Sequence, residues 1–173
     1  NDESEGDSVR GIPQGLIDLD YSLRFVKNTP DLAHLPIMLF GHSWGAYSAG
    51  SVLNYHPDVQ GVVMAAGFNR PTDVIAEAGQ QIVGPAMRFL LPFVGLYERL
   101  KFGDYAQKSS IEGLEKTDAG VMIIHSLDDD TISPGMSYDV FFRRFNNNSR
   151  FQFLQFADRG HDRLWYGERA EVY

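Results

Sequence analysis

The chain has 173 residues, 43% hydrophobic and 22% charged, which suits one folded domain with a sizeable core. Fifteen basic residues against 23 acidic ones give a formal net charge of −8, which disfavours nucleic acid and anionic membrane surfaces as partners. With no cysteine there is no disulfide, no thiolate metal site and no cysteine nucleophile, and the composition is compatible with a cytoplasmic protein.

No signal peptide or membrane span is visible. The longest apolar stretch, near Phe89 to Leu100, is interrupted by Pro92 and Gly95 and is too short to cross a bilayer. The chain opens on a charged loop, Asn1 to Ser8. Gly11-Ile12-Pro13 then starts a helix, and Leu16, Leu19, Leu23 and Val26 recur at three- and four-residue spacing until Asn28-Thr29-Pro30 stops it. Ile37 to Phe40 is an apolar run without polar alternation. It reads as a strand covered on both faces, as in a parallel sheet with helices on each side.

Directly after it stands Gly41-His42-Ser43-Trp44-Gly45, followed by the small-residue helix that begins at Ala46. Strand, abrupt turn and helix around G-x-S-x-G define a nucleophile elbow. The serine must sit in a strained backbone conformation to lift its hydroxyl clear of the sheet. The residues two before and two after it are forced together, which predicts that glycine is required at both Gly41 and Gly45. The turn also puts Ser43 at a helix N-terminus, where unpaired N–H groups favour developing negative charge. The bland alternative is a strand-to-helix turn with an incidental serine.

On these residues the chain resembles an α/β-hydrolase, with the G-H-S-x-G form found in esterases, lipases, thioesterases and serine aminopeptidase-like hydrolases. The resemblance runs over nearly the whole chain. It implies an α/β fold with a mostly parallel sheet flanked by helices. It also implies that Ser4-Glu5-Gly6 ends a loop after an early strand, so the first strands of the sheet, and any targeting signal, are expected to lie outside this chain. Residues 1–173 would then be the C-terminal portion of a single hydrolase domain.

Beyond the elbow helix, expected to end near Tyr55 to Pro57, come the strand Gly61–Ala66 and a long connection over 69–118. Its apolar segment, Met87 to Phe102, is expected to bend or split at Pro92. It reads either as an extra packed core helix or, because related hydrolases carry lids between these two strands, as a helical cap favouring an apolar or acyl group on a small-molecule substrate. The strands Val121–Ile124 and Phe151–Phe156 follow, with helices expected over Pro134–Phe145 and Arg163–Val172. Asn147-Asn148-Ser149 fits a glycosylation sequon but reads as a turn.

A serine hydroxyl needs a base. His161 lies in a loop straight after the last strand, and the resemblance makes it the base, in the chain order serine, acid, histidine. Related hydrolases read H-G-x-x-D-x-x-V-P after the preceding strand. Laid on His125-Ser126-Leu127-Asp128-Asp129-Asp130-Thr131-Ile132-Ser133, that pattern makes Asp129 the acid, with Ser126 in place of glycine and Ser133 in place of proline. A slip of one residue makes it Asp128. The three aspartates also read as a solvated turn before Pro134. His42 is expected to shape the elbow and His125 to pack or support, while His34 and His56 read as structural or exposed. Asp158 and Asp162 read as solvated loop charges. The resemblance assigns the backbone N–H of Trp44 to the oxyanion hole, with a second donor from an earlier loop outside the chain. No sequence motif for a metal, a phosphate or a dinucleotide is present, so no cofactor is expected. The chemistry implied is acyl transfer on an ester, thioester or amide, carboxylesterase-like in the first instance, with a peptidase, an acyl-thioesterase and a non-catalytic hydrolase-fold binder as rivals.

Overall fold

A computed structural model describes residues 10–165. Four strands, β1 (Met38–His42), β2 (Gly61–Ala65), β3 (Gly120–Ser126) and β4 (Phe151–Phe156), pair in parallel in that spatial order. Register is continuous across the sheet, with His42 opposite Ala65 and Ala65 opposite Ile124. Helix α1 (Pro13–Asn28) precedes β1, and between the strands run α2 (Trp44–Val52), α3 (Pro71–Val83), α4 (Met87–Phe102), α5 (Ser110–Lys116) and α6 (Tyr138–Phe145). Because all four strands run the same way, the loops that follow them gather along one edge of the sheet, where open parallel sheets bind ligands.

One face of the sheet carries the main core. Leu39, Val62, Met64, Val121, Ile123 and Phe151 point into it, against Leu16 and Leu23 of α1, Val52 of α2, Leu114 of α5, and Phe141 and Phe145 of α6. The small residues Ala46, Ala49 and Gly50 let α2 lie close. A Cβ on Gly50 would come within 2.8 Å of the Ser110 side chain. The other face holds a smaller cluster of Ala65, Ala66, Ile124 and Leu164, with no helix contributing among the described residues. Among the described residues the main core covers the face of β1 that carries Leu39. β1 is an edge strand among the described residues, and Met38 (73%) and Phe40 (60%) are exposed.

The predicted α1 and β4 match their observed bounds, whereas others shift. The elbow helix ends at Val52, β1 and β3 extend to His42 and Ser126, and α6 starts at Tyr138 because the chain turns through Ser133–Ser137 first. Helix α4 continues through Pro92 instead of splitting. The proline sits in the second turn, so only one backbone bond is lost. The predicted helix over 163–172 is irregular at 163, a turn at 164–165, and otherwise lies outside the described residues.

A buried polar knot ties α1 to its neighbours. Asp20, fully buried, accepts hydrogen bonds from Arg24 (2.9 Å) and Tyr105 (2.6 Å) and meets His56 Nε2 at 2.7 Å. Burial alone would raise the Asp20 pKa. The bonds from Arg24, Tyr105 and His56 outweigh burial and hold it below the usual carboxylate value. A depressed folded-state pKa contributes stability above the unfolded value, and that contribution is lost as pH falls through the folded one. Chemical denaturation should therefore find Asp20→Ala destabilised by about 1–3 kcal/mol at neutral pH, the cost of leaving the Tyr105 and His56 partners unpaired. The deficit should shrink below about pH 4.

Candidate active site

The elbow forms as its steric logic requires. Ser43 has φ 53° and ψ −116°, a left-handed conformation that costs on the order of 1–3 kcal/mol. It is held from below by the sheet, where its N–H donates to the Ala65 carbonyl at 2.8 Å, and Ala66 N–H in turn donates to Ile124. A Cβ on Gly41 would lie 2.3 Å from the backbone oxygen of Gly45, so glycine there is obligatory. The parallel expectation for Gly45 is corrected, since a Cβ there meets nothing within 4 Å. Gly45 sits exposed in the first turn of α2, so the close approach is made by its carbonyl and not by its Cα substituent. The Trp44 indole donates to the Ile12 carbonyl at 2.6 Å and pins the elbow to the start of α1. The Trp44 N–H is the first of α2 and has no intrahelical acceptor by position.

The loop after β3 sorts its three aspartates by direction. Asp129 is 5% exposed; its Oδ1 accepts from the N–H groups of Thr131 (3.0 Å) and Ile132 (2.9 Å). Its Oδ2 lies 2.8 Å from His161 Nδ1. Asp128 is exposed and faces elsewhere. It accepts from the Ser126 hydroxyl and, at 2.8 Å, from Gly160 N–H. Ser126 Oγ also accepts from Arg159 N–H at 2.9 Å. Asp128 and Ser126 thus staple the loop carrying His161 to the end of β3. Sequence reasoning treated Ser126 only as a departure from glycine; the signal was a hydroxyl two residues before an aspartate, a spacing that favours local side-chain bonds.

Since an ionised carboxylate only accepts, His161 Nδ1 carries a proton, and in the neutral ring the lone pair is on Nε2. The Asp129 bond holds the imidazole pKa above its ordinary value, against burial that would lower it. Burial would raise Asp129, but the bonds from His161, Ile132 and Thr131 outweigh it and hold that carboxyl low. His125 is fully buried beside the pair, its Nε2 3.9 Å from Asp129 Oδ2, and burial depresses its pKa. His42 reaches the same loop, its Nε2 2.9 Å from the His161 carbonyl, and its ring packs 4.7 Å from that of His161. The elbow and the His161 loop are therefore joined directly. The Ser43 hydroxyl itself makes no hydrogen bond among the described residues. His56, Asp158 and Asp162 fall as read: His56 is structural, in the Asp20 knot, and both aspartates are exposed.

Helices α3 and α4 stand between β2 and β3. Met87, Glu98 and Phe102 of α4 face inward, while Phe89, Leu90, Phe93, Leu96, Tyr97 and Leu100 are exposed. A cavity of about 490 Å³ opens beside α4, lined by Arg70, Thr72, Glu98 and Arg99 among others. No helix among the described residues is long and apolar enough to cross a membrane.

A parallel sheet with a strained serine elbow at its carboxyl edge is the architecture of an α/β-hydrolase. Residues 24–173 match the family model of the prolyl oligopeptidase family, Peptidase_S9, and the chain belongs to that family. Among solved structures it is similar to the esterase Pf2001 of Pyrococcus furiosus (16% identity, TM-score 0.62, 93% of this chain and 59% of that one). It also resembles acetyl xylan esterase 1 from a Thermoanaerobacterium species (14%, 0.58, 92% and 55%) and an acylaminoacyl peptidase of Pyrococcus horikoshii (15%, 0.56, 84% and 23%). At these identities the likeness is one of fold, and the chain spans little more than half the length of those esterases. No curated protein matches the chain.

The contrast between the two glycines is measurable. Gly41→Ala should cost at least about 1–3 kcal/mol through overpacking against backbone and disturb the elbow. Gly45→Ala should fold with unchanged thermal stability to within a few degrees, since a Cβ there has open space.

Proposed function

We propose that this chain carries the catalytic groups of a serine hydrolase that works by acyl transfer. Ser43 Oγ attacks the carbonyl carbon of an ester, thioester or amide. His161 Nε2 takes the hydroxyl proton and later gives it to the leaving group. Asp129 keeps His161 in the tautomer that leaves Nε2 free and stabilises the imidazolium formed during the step. The Trp44 N–H holds the developing oxyanion. Water then attacks the acyl-enzyme and releases the acid. The observation that carries this reading is the 2.8 Å contact between His161 Nδ1 and Asp129 Oδ2, together with the elbow conformation of Ser43, whose neighbour His42 reaches the His161 carbonyl.

The open Ser43 hydroxyl fits the apo geometry of such sites, in which catalytic hydrogen bonds tighten only around substrate. It is also the observation that favours the rival reading, a hydrolase-fold binder. Carboxylesterase is the first choice of substrate class, in keeping with the similarity in fold to esterases. A peptidase is next, given the family and the acylaminoacyl peptidase. The α3–α4 segment within 69–118 acts as the cap, and its apolar side chains suit an apolar acyl group on a small-molecule substrate.

A fluorophosphonate probe should label the full-length protein stoichiometrically and fail on Ser43→Ala; a wild-type protein that does not label is a binder. Asp129→Asn should lower kcat by about 10⁴ with the fold retained, because the wrong tautomer is then favoured. Asp128→Asn should leave the rate nearly unchanged, since the amide oxygen still accepts from Ser126 and Gly160. The reverse ranking moves the acid by one position. Esters of graded chain length beside aminoacyl amides decide the substrate class.

A further inference from the structure

Two imidazoles and a carboxylate converge beside the elbow. One ring nitrogen of His42, one of His161 and a carboxylate oxygen of Asp162 lie within 4.8 Å of one another. Neighbours set the protonation of both rings. His161 Nδ1 is committed to Asp129, which leaves the lone pair of the neutral ring on Nε2. His42 Nε2 lies 2.9 Å from a carbonyl oxygen, which only accepts, so the hydrogen is on Nε2 and the lone pair on Nδ1. Each ring thus offers one lone pair while its other nitrogen is anchored to a carboxylate or a backbone carbonyl. Metal-binding histidines are held in this way, because the second bond fixes the tautomer and raises the basicity of the ligand nitrogen.

We propose that His42, His161 and Asp162 form a site for a divalent transition-metal ion, zinc above all, and that zinc held there blocks hydrolysis by occupying His161 Nε2. The inhibitory half rests on the reading of His161 as the base; the binding half does not.

The donor set selects the ion. Two imidazoles and a carboxylate suit zinc, with water in a fourth position, and suit magnesium or calcium poorly, since those ions want oxygen ligands. Zinc bonds of about 2.0–2.2 Å set tetrahedral ligand atoms about 3.4 Å apart, so a spacing at the 4.8 Å limit must contract by about 1.4 Å. Asp162 is exposed on its loop and has room to swing. Asp129, Asp130 and Asp162 surround His161 with negative charge, which favours a cation. The ligands escaped sequence motifs because His42 and His161 are 119 positions apart. A nitrogen that coordinates zinc has no lone pair left for the Ser43 proton, so inhibition is competitive with base function and reversible by a chelator.

Calorimetric titration of zinc chloride into the metal-free, full-length Ser43→Ala protein measures binding without turnover. One zinc per chain is expected. His42→Ala should weaken it at least as much as loss of an outer partner does, about 10–100-fold, and Asp162→Asn about tenfold. Circular dichroism checks the fold, which the exposed Asp162 variant should keep if His42→Ala does not. On the wild-type protein zinc should slow fluorophosphonate labelling, and EDTA should restore it. No saturable binding, or binding unchanged in Asp162→Asn and in a folded His42→Ala, overturns the site even where Ser43 labels normally. Binding that leaves labelling untouched overturns the inhibitory half. Zinc binding lost in both variants of a protein that never labels upholds the site and removes the hydrolase reading instead.

Discussion

A carboxylate taken out of water is stable only where donors replace its hydration, and the Asp129–His161 contact is built around that constraint. Asp129 is almost fully buried, yet three donors meet it: two backbone N–H groups on one oxygen and an imidazole on the other. The backbone bonds fix where the carboxylate points, and the carboxylate fixes which imidazole nitrogen carries the proton. The neighbouring staple from Asp128 and Ser126 to the backbone of residues 159 and 160 then holds the histidine loop at the right height above β3. Remove the turn at Thr131–Ile132, and neither the direction nor the tautomer is defined.

The serine depends on the same sheet for a different reason. Its backbone strain persists only because the surrounding structure over-determines it. The ladder bond to Ala65, the missing Cβ of Gly41 and the indole of Trp44 anchored on Ile12 supply that constraint from three sides. Parallel strands bring the two halves together. Ser43, Asp129 and His161 follow three strands whose carboxyl ends align by register, so 118 residues of separation collapse to one sheet edge. His42 completes the join by bonding the histidine loop directly.

Much of this was legible because steric demands leave residue-level marks. The elbow shows as glycines around a serine, α1 as a three-and-four repeat, and β4 as an aromatic run whose limits match the observed strand. The misreadings have equally specific causes. Gly45 looked as constrained as Gly41, but a sequence does not say whether Cα or carbonyl makes the close contact. The apolar run of β1 leaves Met38 and Phe40 uncovered among the described residues, since hydrophobicity marks what can be buried and not what covers it. Among three aspartates in a row the spacing from His125 singled out Asp129, which faces His161, but the stapling role of Asp128 depends on the direction its turn gives it and left no mark in the spacing. The Asp20 knot was invisible because its partners come from α1, the loop after α2 and the turn after α4, which only folding brings together.

The most direct measurement is a crystal structure of the full-length protein carrying a phosphonyl group from a fluorophosphonate. The account predicts the adduct on Ser43, with His161 Nε2 within hydrogen-bonding distance of an oxygen on the new phosphorus centre and Nδ1 still against Asp129. An adduct on another residue, or an imidazole turned away from the phosphonylated serine, would contradict it.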